Sequence, residues 1–581
     1  MRNIAATLLA AAATVAAAPV VEERQNDLVF DYIVVGSGAG GGPLASRLAR
    51  AGQSVLLIES GDDQGTNYNY TVPGFQAAVT QDPQIAWDIY VNHYQDQTRA
   101  RRDPKYVEGK GILYPRAGTL GGCVSHNALI WITPHASDWD NIATITGDSS
   151  WSSANMQKYL AKIYEWQPTG PTDPAILLKD TTLVQHLAGG AAVMGVGPDP
   201  LAAVTGLGQT LLTDPNNTPG RDSLEGFYQI PLIQRGGQRV SVRDFIVDTE
   251  NSGFPLTIRT NCHVTKINFN TTGSTPKAVG VEFLDGKHLY RASPLSGAAG
   301  TPGKATARKE VIMAGGSYNT VQTLKLSGVG PASELNRFGI EVVKDVPGLG
   351  KNMQDRYEIP VNARHPNDFS ILDGCTFDAK PHDDNIDLFI FGGPVNFTGY
   401  FPRWGDAAVA SHKVFSWYTL KAHTRNKAGT VELRSTNPLD TPIINFNYFD
   451  TGTTAGGADQ KDVNALVQAI KMSREANQRY SNYAILGGTN FSEERPGAAA
   501  DTDAALQQFV KDEAWGHHAC CTAPIGSASD SNAVLDSKFR VRGIDGLRVV
   551  DASIFPAIPG IFITAPIMVA SEKAADTILH G

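Results

Sequence analysis

The chain has 581 residues, 49 of them Lys or Arg and 58 Asp or Glu, for a formal net charge of −9. That length fits roughly two to four domains, and an acidic balance with no basic run argues against nucleic acid as a partner. After the N-terminal leader no segment approaches the ~18 uninterrupted apolar residues of a membrane span, so no membrane partner is expected.

In chain order the leader comes first. Arg2 supplies a positive start, Ile4 to Ala18 an apolar stretch, and Ala16-Ala17-Ala18 a small-residue cleavage site. Residues 1–18 therefore read as a secretory signal peptide, and the mature chain as a soluble, secreted, extracellular protein. Sequons at Asn69, Asn216, Asn270, Asn396 and Asn490 fit that reading. The cysteines (Cys123, Cys262, Cys375, Cys520 and Cys521) are too few for a disulfide framework. A bridge between the neighbours Cys520 and Cys521 would be strained, so both read as buried thiols.

The most informative stretch runs from Asp31 to Gly42, a short strand entering a glycine-rich turn and then a helix from Pro43 to Ala51. Gly36, Gly38 and Gly41 stand at G-x-G-x-x-G spacing. The first permits a tight turn, the second lets backbone approach a pyrophosphate, and the third lets helix and strand pack closely. The helix N-terminus then offers unpaired N–H groups to phosphate. A second strand, Ser54 to Ile58, ends in Glu59, where a dinucleotide fold places the acid that binds ribose hydroxyls. An acid there argues against a 2′-phosphate and leaves NAD or FAD open.

Gly61 to Tyr114 then reads as long and irregular, and Pro115 to Asn127 as a glycine-bearing turn leading into a helix. A helix is expected over Ser153 to Tyr164. Residues 165–229, rich in Gly, Pro and Asp, read as surface elements on the substrate side. Strands are expected at Pro255 to Arg259, His263 to Ile267, Ala278 to Phe283 and Lys309 to Ala314, with a helix from Gly316 to Leu326. Residues 357–510 alternate strands (Asp387 to Phe391, Lys413 to Leu420, Gly429 to Leu433) with helices such as Asp462 to Glu475. The end is a strand, a turn at Asp551 and a helix from Ala565 to Leu579.

Separated segments in this order resemble the glucose–methanol–choline (GMC) family of FAD-dependent oxidoreductases, over residues 28–581. They are the glycine fingerprint closed by Glu59, the loop Gly118 to Asn127, Gly316 through Gly330, Val346-Pro347-Gly348-Leu349-Gly350-Lys351-Asn352-Met353-Gln354-Asp355, and the tail from His518. Val321, Lys325 and Arg356 depart from the family pattern. The resemblance implies an α/β fold (α+β overall), with a discontinuous Rossmann-like FAD-binding domain at 28–140, 230–356 and 515–581. A mixed substrate-binding domain at 141–229 and 357–514 would roof the flavin with an antiparallel sheet. It also implies alcohol oxidation: a base takes the hydroxyl proton, hydride passes to flavin N5, and oxygen or another acceptor takes the electrons.

By the same resemblance His518, four residues before Thr522, is the catalytic base; an imidazole with an ordinary pKa of about 6.5 suits that task. His517 is expected to point elsewhere. The partner position, eleven residues after Asp551, is Phe562, where family members carry His or Asn. Either His518 works alone, or Thr564, Asn127 or His517 substitutes. His126 in Gly121-Gly122-Cys123-Val124-Ser125-His126-Asn127 matches the covalent flavin link of the choline-oxidase-like branch, and simple packing at the flavin edge is the other reading. Gly118, Gly122, Asn127, Val264, Asp551 and Ala552 are expected to contact the cofactor; no metal ligands are expected. Trp131, Phe391, Trp417 and Phe562 are candidates for an apolar pocket. Phe562 points to a bulky or aromatic substrate, and its lack of a polar group also fits an FAD-retaining relative with a non-redox cyclising activity.

Overall fold

Two sheets carry the computed structural model, which describes residues 28–170, 179–197, 199–210, 212–369, 375–379, 387–481 and 490–581. The signal peptide expected at 1–18 lies outside the described residues. In the first sheet Leu256–Arg259, Val55–Ile58, Leu28–Val35 and Thr301–Met313 run parallel side by side. Their cores read Val-Leu-Leu-Ile and Tyr-Ile-Val-Val because they are buried on both faces and have no polar side. The long strand Thr301–Met313 changes partners along its length. Its first half pairs antiparallel with Lys277–Asp285, and its last residues pair parallel with Leu547–Val549 from the far end of the chain.

The fingerprint helix, Gly41–Arg50, packs against this sheet, the helix Val242–Asn251 and the terminal helix Thr564–His580. A Cβ on Gly41 would lie 2.0 Å from Gly36 O, so only glycine allows helix and strand this close. Helix Ser153–Tyr164 also lies on the terminal helix, through Lys158 and Tyr159 to Asp576.

The second sheet is antiparallel, in the order Ser492–Arg495, Tyr357–Arg364, Val414–Lys421, Leu388–Gly393, Cys375–Ala379 and Gly226–Tyr228. Its register puts Glu358 opposite Leu420, and Phe391 and Pro360 opposite Tyr418. With a period of two, Glu358, Tyr418 and Phe391 share one face. That face roofs a cavity above the first sheet, while helix Ala458–Ser481 covers the other, where Trp417 Nε1 donates to Asn477 Oδ1 at 3.1 Å.

Three expectations are corrected. Residues 165–229 are not only surface: Thr181–Val193 is a largely buried helix, and Gly189 comes so near Ala476 that a Cβ would sit 2.3 Å from its carbonyl. The region from Gly61 to Tyr114 contains Ala86–Val91, paired with Ile112–Ala117. The turn at 118–127 continues as one 3₁₀ turn, Gly122–Ser125, because Gly121 and Gly122 sit at φ 95° and 58°, outside the helical region. Cys520 and Cys521 are buried free thiols, as expected. No described helix is long and apolar enough to cross a membrane.

Candidate active site

A cavity of about 580 Å³ runs from the glycine turn to the underside of the second sheet. Gly36, Gly38, Glu59, Gly122, His126, Asn127, Val264, Asp551 and Ala552 line one reach of it, and His517, His518 and Phe562 the other. The cradle is tight where backbones meet and open where a ligand would enter. A Cβ on Gly36 would strike Ala314 O at 2.3 Å, whereas one on Gly38 would have only Gly122 Cα within reach, at 3.8 Å. Glu59 closes the turn by accepting from Ser37 Oγ at 2.6 Å, Ser37 N at 3.1 Å and Gly61 N at 3.1 Å. Burial raises its carboxyl above the usual range. Asp551 is committed to protein donors: Gly316 N at 2.9 Å, Thr320 Oγ1 at 2.6 Å and Ser553 N at 2.8 Å.

Gly41 and Gly118 stand behind this wall. Gly41 works in helix–strand packing, and a Cβ on Gly118 would meet the Trp87 indole at 2.3 Å. His126 is buried with Nδ1 unpartnered, and burial, then Arg116, Arg239 and His517, depress its pKa to about 3.

At the other reach, aromatic and imidazole rings close a circuit. Centroid separations are 5.6 Å from His518 to Phe562, 6.3 Å on to Phe391, 5.2 Å to Tyr418 and 5.7 Å to Phe397. They continue 5.1 Å to Tyr400, 5.5 Å to His517 and 4.1 Å back to His518. His518 donates its backbone N–H to Asp355 Oδ1 at 2.8 Å and has an unpartnered Nδ1. Burial, followed by His517, Arg356 and Arg116, holds its pKa well below 6.5, so the imidazole is neutral and keeps a lone pair. Glu358 Oε1 lies 3.4 Å from His517 Nδ1, and burial pushes this carboxyl well above its ordinary value.

Sequence comparison fits this geometry. The family models described as GMC oxidoreductase match residues 30–358 and 425–571. The chain belongs to the GMC oxidoreductase family. An oxygen-dependent choline dehydrogenase of Pseudomonas fluorescens is 29% identical, over 94% of this chain and 93% of that one. Oxidoreductase cicC of Emericella nidulans is 27% identical over 95% and 94%. Among solved structures, pyridoxine 4-oxidase from Mesorbium loti superposes with a TM-score of 0.72 at 21% identity, covering 95% of this chain and 99% of its own. A fungal aryl-alcohol oxidase gives 0.62 at 19%, covering 96% and 99%. At these identities the structural likeness is one of fold.

As a GMC oxidoreductase the chain is an FAD-dependent enzyme, and the cavity suits that cofactor. A glycine cradle, an acid at the end of the second strand and an unpaired buried imidazole sit along one trough. Gly36, Gly38 and Gly122 would take the pyrophosphate side, Glu59 the ribose, and His126 the flavin edge.

The circuit amends three expectations. His517 does not point away, because segment 515–518 is irregular and both imidazoles line the cavity. Of the four aromatics proposed for the pocket, Phe391 and Phe562 line it. Trp131 and Trp417 are fully buried core, with Trp131 Nε1 donating to Tyr164 OH at 3.2 Å. Asn127 is tied down, its Oδ1 accepting from Leu129 N and Arg239 Nη1. Sequence reading missed Glu358, Phe397, Tyr400 and Tyr418. Only strand alternation could have flagged Glu358 and Tyr418; Phe397 and Tyr400 lie in a loop with no periodic signal.

Two measurements test the cofactor reach. Glu59→Arg should weaken FAD retention, since it removes the acceptor of Ser37 and puts a cation where ribose hydroxyls need an acceptor; unchanged flavin content and affinity would refute the assignment. If His126 carries the flavin covalently, acid-precipitated protein stays yellow and a His126 peptide gains the flavin mass. A colourless pellet means the flavin is held without a bond.

Proposed function

We propose that this enzyme oxidises a bulky primary alcohol whose apolar or aromatic body fills the ring circuit, with His518 taking the hydroxyl proton. The observation that carries the reading is the circuit itself: His518 is a member of a closed wall that, His517 apart, is made of phenylalanine and tyrosine rings. Bound FAD supplies the hydride acceptor. His518, which lines the cavity, then needs its imidazole in the neutral form, and burial favours that form. Phe562 packs edge-to-face on His518 at 89°, a contact worth about 0.5–1.5 kcal/mol, and holds the imidazole's plane where a hydrogen-bonding partner otherwise would.

A second reading, an alcohol with a cationic head group, is favoured by Glu358. A buried carboxyl beside aromatic faces is a site where a quaternary ammonium gains from both cation–π attraction and the carboxylate. The choline named for the relatives is such a compound. Burial favours the neutral form of Glu358, and a bound cation favours the anion, so proton release on binding is the signature of this reading.

The same proposal has the mature chain exported after loss of residues 1–18. Asn270 and Asn490 are exposed and could carry glycans. Asn216 Nδ2 donates to Trp131 O at 2.9 Å and is less suited.

Anaerobic bleaching of the flavin by a panel of small, aromatic and cationic alcohols tests the reading; no bleaching by any of them would favour a non-redox role. His518→Ala should slow flavin reduction by about 10²–10⁴-fold while FAD stays bound. In wild type the acid limb of this rate should fall below pH 6.5, because the imidazole pKa is lowered and protonation removes the base only under more acidic conditions. Phe562→Asn should speed small alcohols and slow bulky ones, the latter by loss of apolar contact worth roughly 1.5–3 kcal/mol. Glu358→Gln should weaken a cationic alcohol by roughly 1.5–3 kcal/mol and leave a neutral aromatic one unchanged; equal effects on both would discard the cationic reading.

A further inference from the structure

Away from the cavity, His135, Asp138 and His423 converge from distant parts of the chain. His135 precedes helix Ala136–Thr146, Asp138 lies in its first turn, and His423 follows strand Val414–Lys421. One ligand atom from each of the three lies within 4.8 Å of the other two. Asp138 Oδ2 accepts from the backbone N–H of His135 and of Gly560, each at 2.8 Å, while Oδ1 faces His423 Nε2 at 3.1 Å. A tetrahedral zinc ion with bonds of about 2.0–2.1 Å sets neighbouring ligand atoms roughly 3.3 Å apart. The carboxylate and His423 thus already stand near ligand spacing.

A second observation points to a ligand. The His135 side chain is 1% exposed, and its Nδ1 has no hydrogen-bond partner. Such an atom is costly to leave unmet, and its ring lies 5.3 Å from the His423 ring, centroid to centroid. The surroundings match what metal ligands require. His423 is held from behind by Asp387 Oδ1, which accepts its backbone N–H at 3.1 Å. The other Asp138 oxygen is held by backbone. Access exists from one side only: the His423 side chain is 29% exposed and that of Asp138 8%.

We propose that His135, Asp138 and His423 form a binding site for one divalent transition-metal cation of the zinc class. Two imidazoles and one carboxylate suit zinc and its neighbours rather than magnesium or calcium, which take oxygen ligands. Three protein ligands leave a fourth position for water on the His423 side. A metal there would bind the start of helix Ala136–Thr146, the turn after the roofing strand and, through Asp138, the Gly560 N–H two residues before Phe562. The site needs neither substrate nor flavin chemistry to be measured.

The test uses the flavin-loaded full chain after chelator treatment. Calorimetric titration with Zn²⁺ should show one equivalent bound per chain, and Co²⁺ should give the visible d–d bands of a tetrahedral ion. His423→Gln and His135→Gln should each weaken uptake at least about tenfold while keeping full flavin content, and a His580→Gln control at an exposed histidine should bind as wild type does. If His135→Gln loses its flavin, His423→Gln alone decides. Absence of stoichiometric uptake by wild type, octahedral Co²⁺ bands, or undiminished uptake by His423→Gln would overturn the proposal and leave Asp138 and His423 as a hydrogen-bonded pair.

Discussion

Asp355 is the point at which the catalytic reach is held together. Its buried carboxyl accepts from Tyr114 OH at 2.7 Å, from His518 N at 2.8 Å and from Arg356 N at 2.8 Å. Tyr114 OH in turn accepts from Ala519 N at 2.8 Å. One side chain thus ties its own segment to two that are remote in sequence, and its bond from His518 N and the Tyr114 bond from Ala519 N bracket the backbone of the proposed base. Burial raises its pKa to about 6 despite these donors, the desolvation cost of putting a carboxyl where it can do this. Gly516 completes the fit, since a Cβ there would lie 2.3 Å from Asp355 Oδ2.

The segment that ends in Asp355 also fixes the opposite wall. Asn352 and Gln354 donate to Pro556 O at 3.2 and 3.1 Å, Gln354 Oε1 accepts from Ile558 N at 3.2 Å, and Arg356 Nη2 donates to Pro559 O at 2.7 Å. Asn352, Gln354 and Arg356 thus hold the loop that leads to Phe562 at Pro556, Ile558 and Pro559. Arg356, a departure from the family pattern, is fully buried and spends its guanidinium on backbone carbonyls of Pro559 and Ala422. The partner position therefore faces His518 because its loop is pinned, independently of which residue occupies it.

What could be read from sequence was what depends on local chemistry. Gly36, Gly41 and Glu59 announce themselves because a tight turn, a close helix–strand approach and an acid at a strand end are each encoded within a few residues. His518 and Phe562 follow from the family resemblance, by position in the tail, and their rings meet at 5.6 Å. The ring circuit could not be found that way. Phe391 and Tyr418 become neighbours only through the pairing of Leu388–Gly393 with Val414–Lys421, and Glu358 reaches His517 because its backbone exchanges hydrogen bonds with Trp515, at 2.8 and 3.1 Å. Thr181–Val193 was missed for a related reason: its glycines suggest a loop in isolation, and only close packing on Ala458–Ser481 explains them. Such long-range pairings leave no periodic trace in either partner alone.

Charge inside the cavity is governed by few groups, and their arrangement explains how a lone imidazole can serve. Arg116 lines the cavity, donates to His517 O at 3.1 Å and lies over the Tyr114 ring at 4.5 Å. An arginine keeps its charge even when buried. With burial, it is among the causes that depress His126, His517 and His518. Burial first, and then buried arginines (Arg116 for all three, with Arg239 or Arg356), bias these imidazoles toward the neutral form. A histidine or asparagine at 562 would add a hydrogen-bonding partner for His518; Phe562 adds none and excludes water instead. The imidazole is thereby held in its neutral form near neutral pH, and Glu358 and His517 are a polar pair on the border of the circuit. The substitution at the partner position and the buried acid across the circuit are in this sense complementary: what one wall gives up in polarity, the other retains.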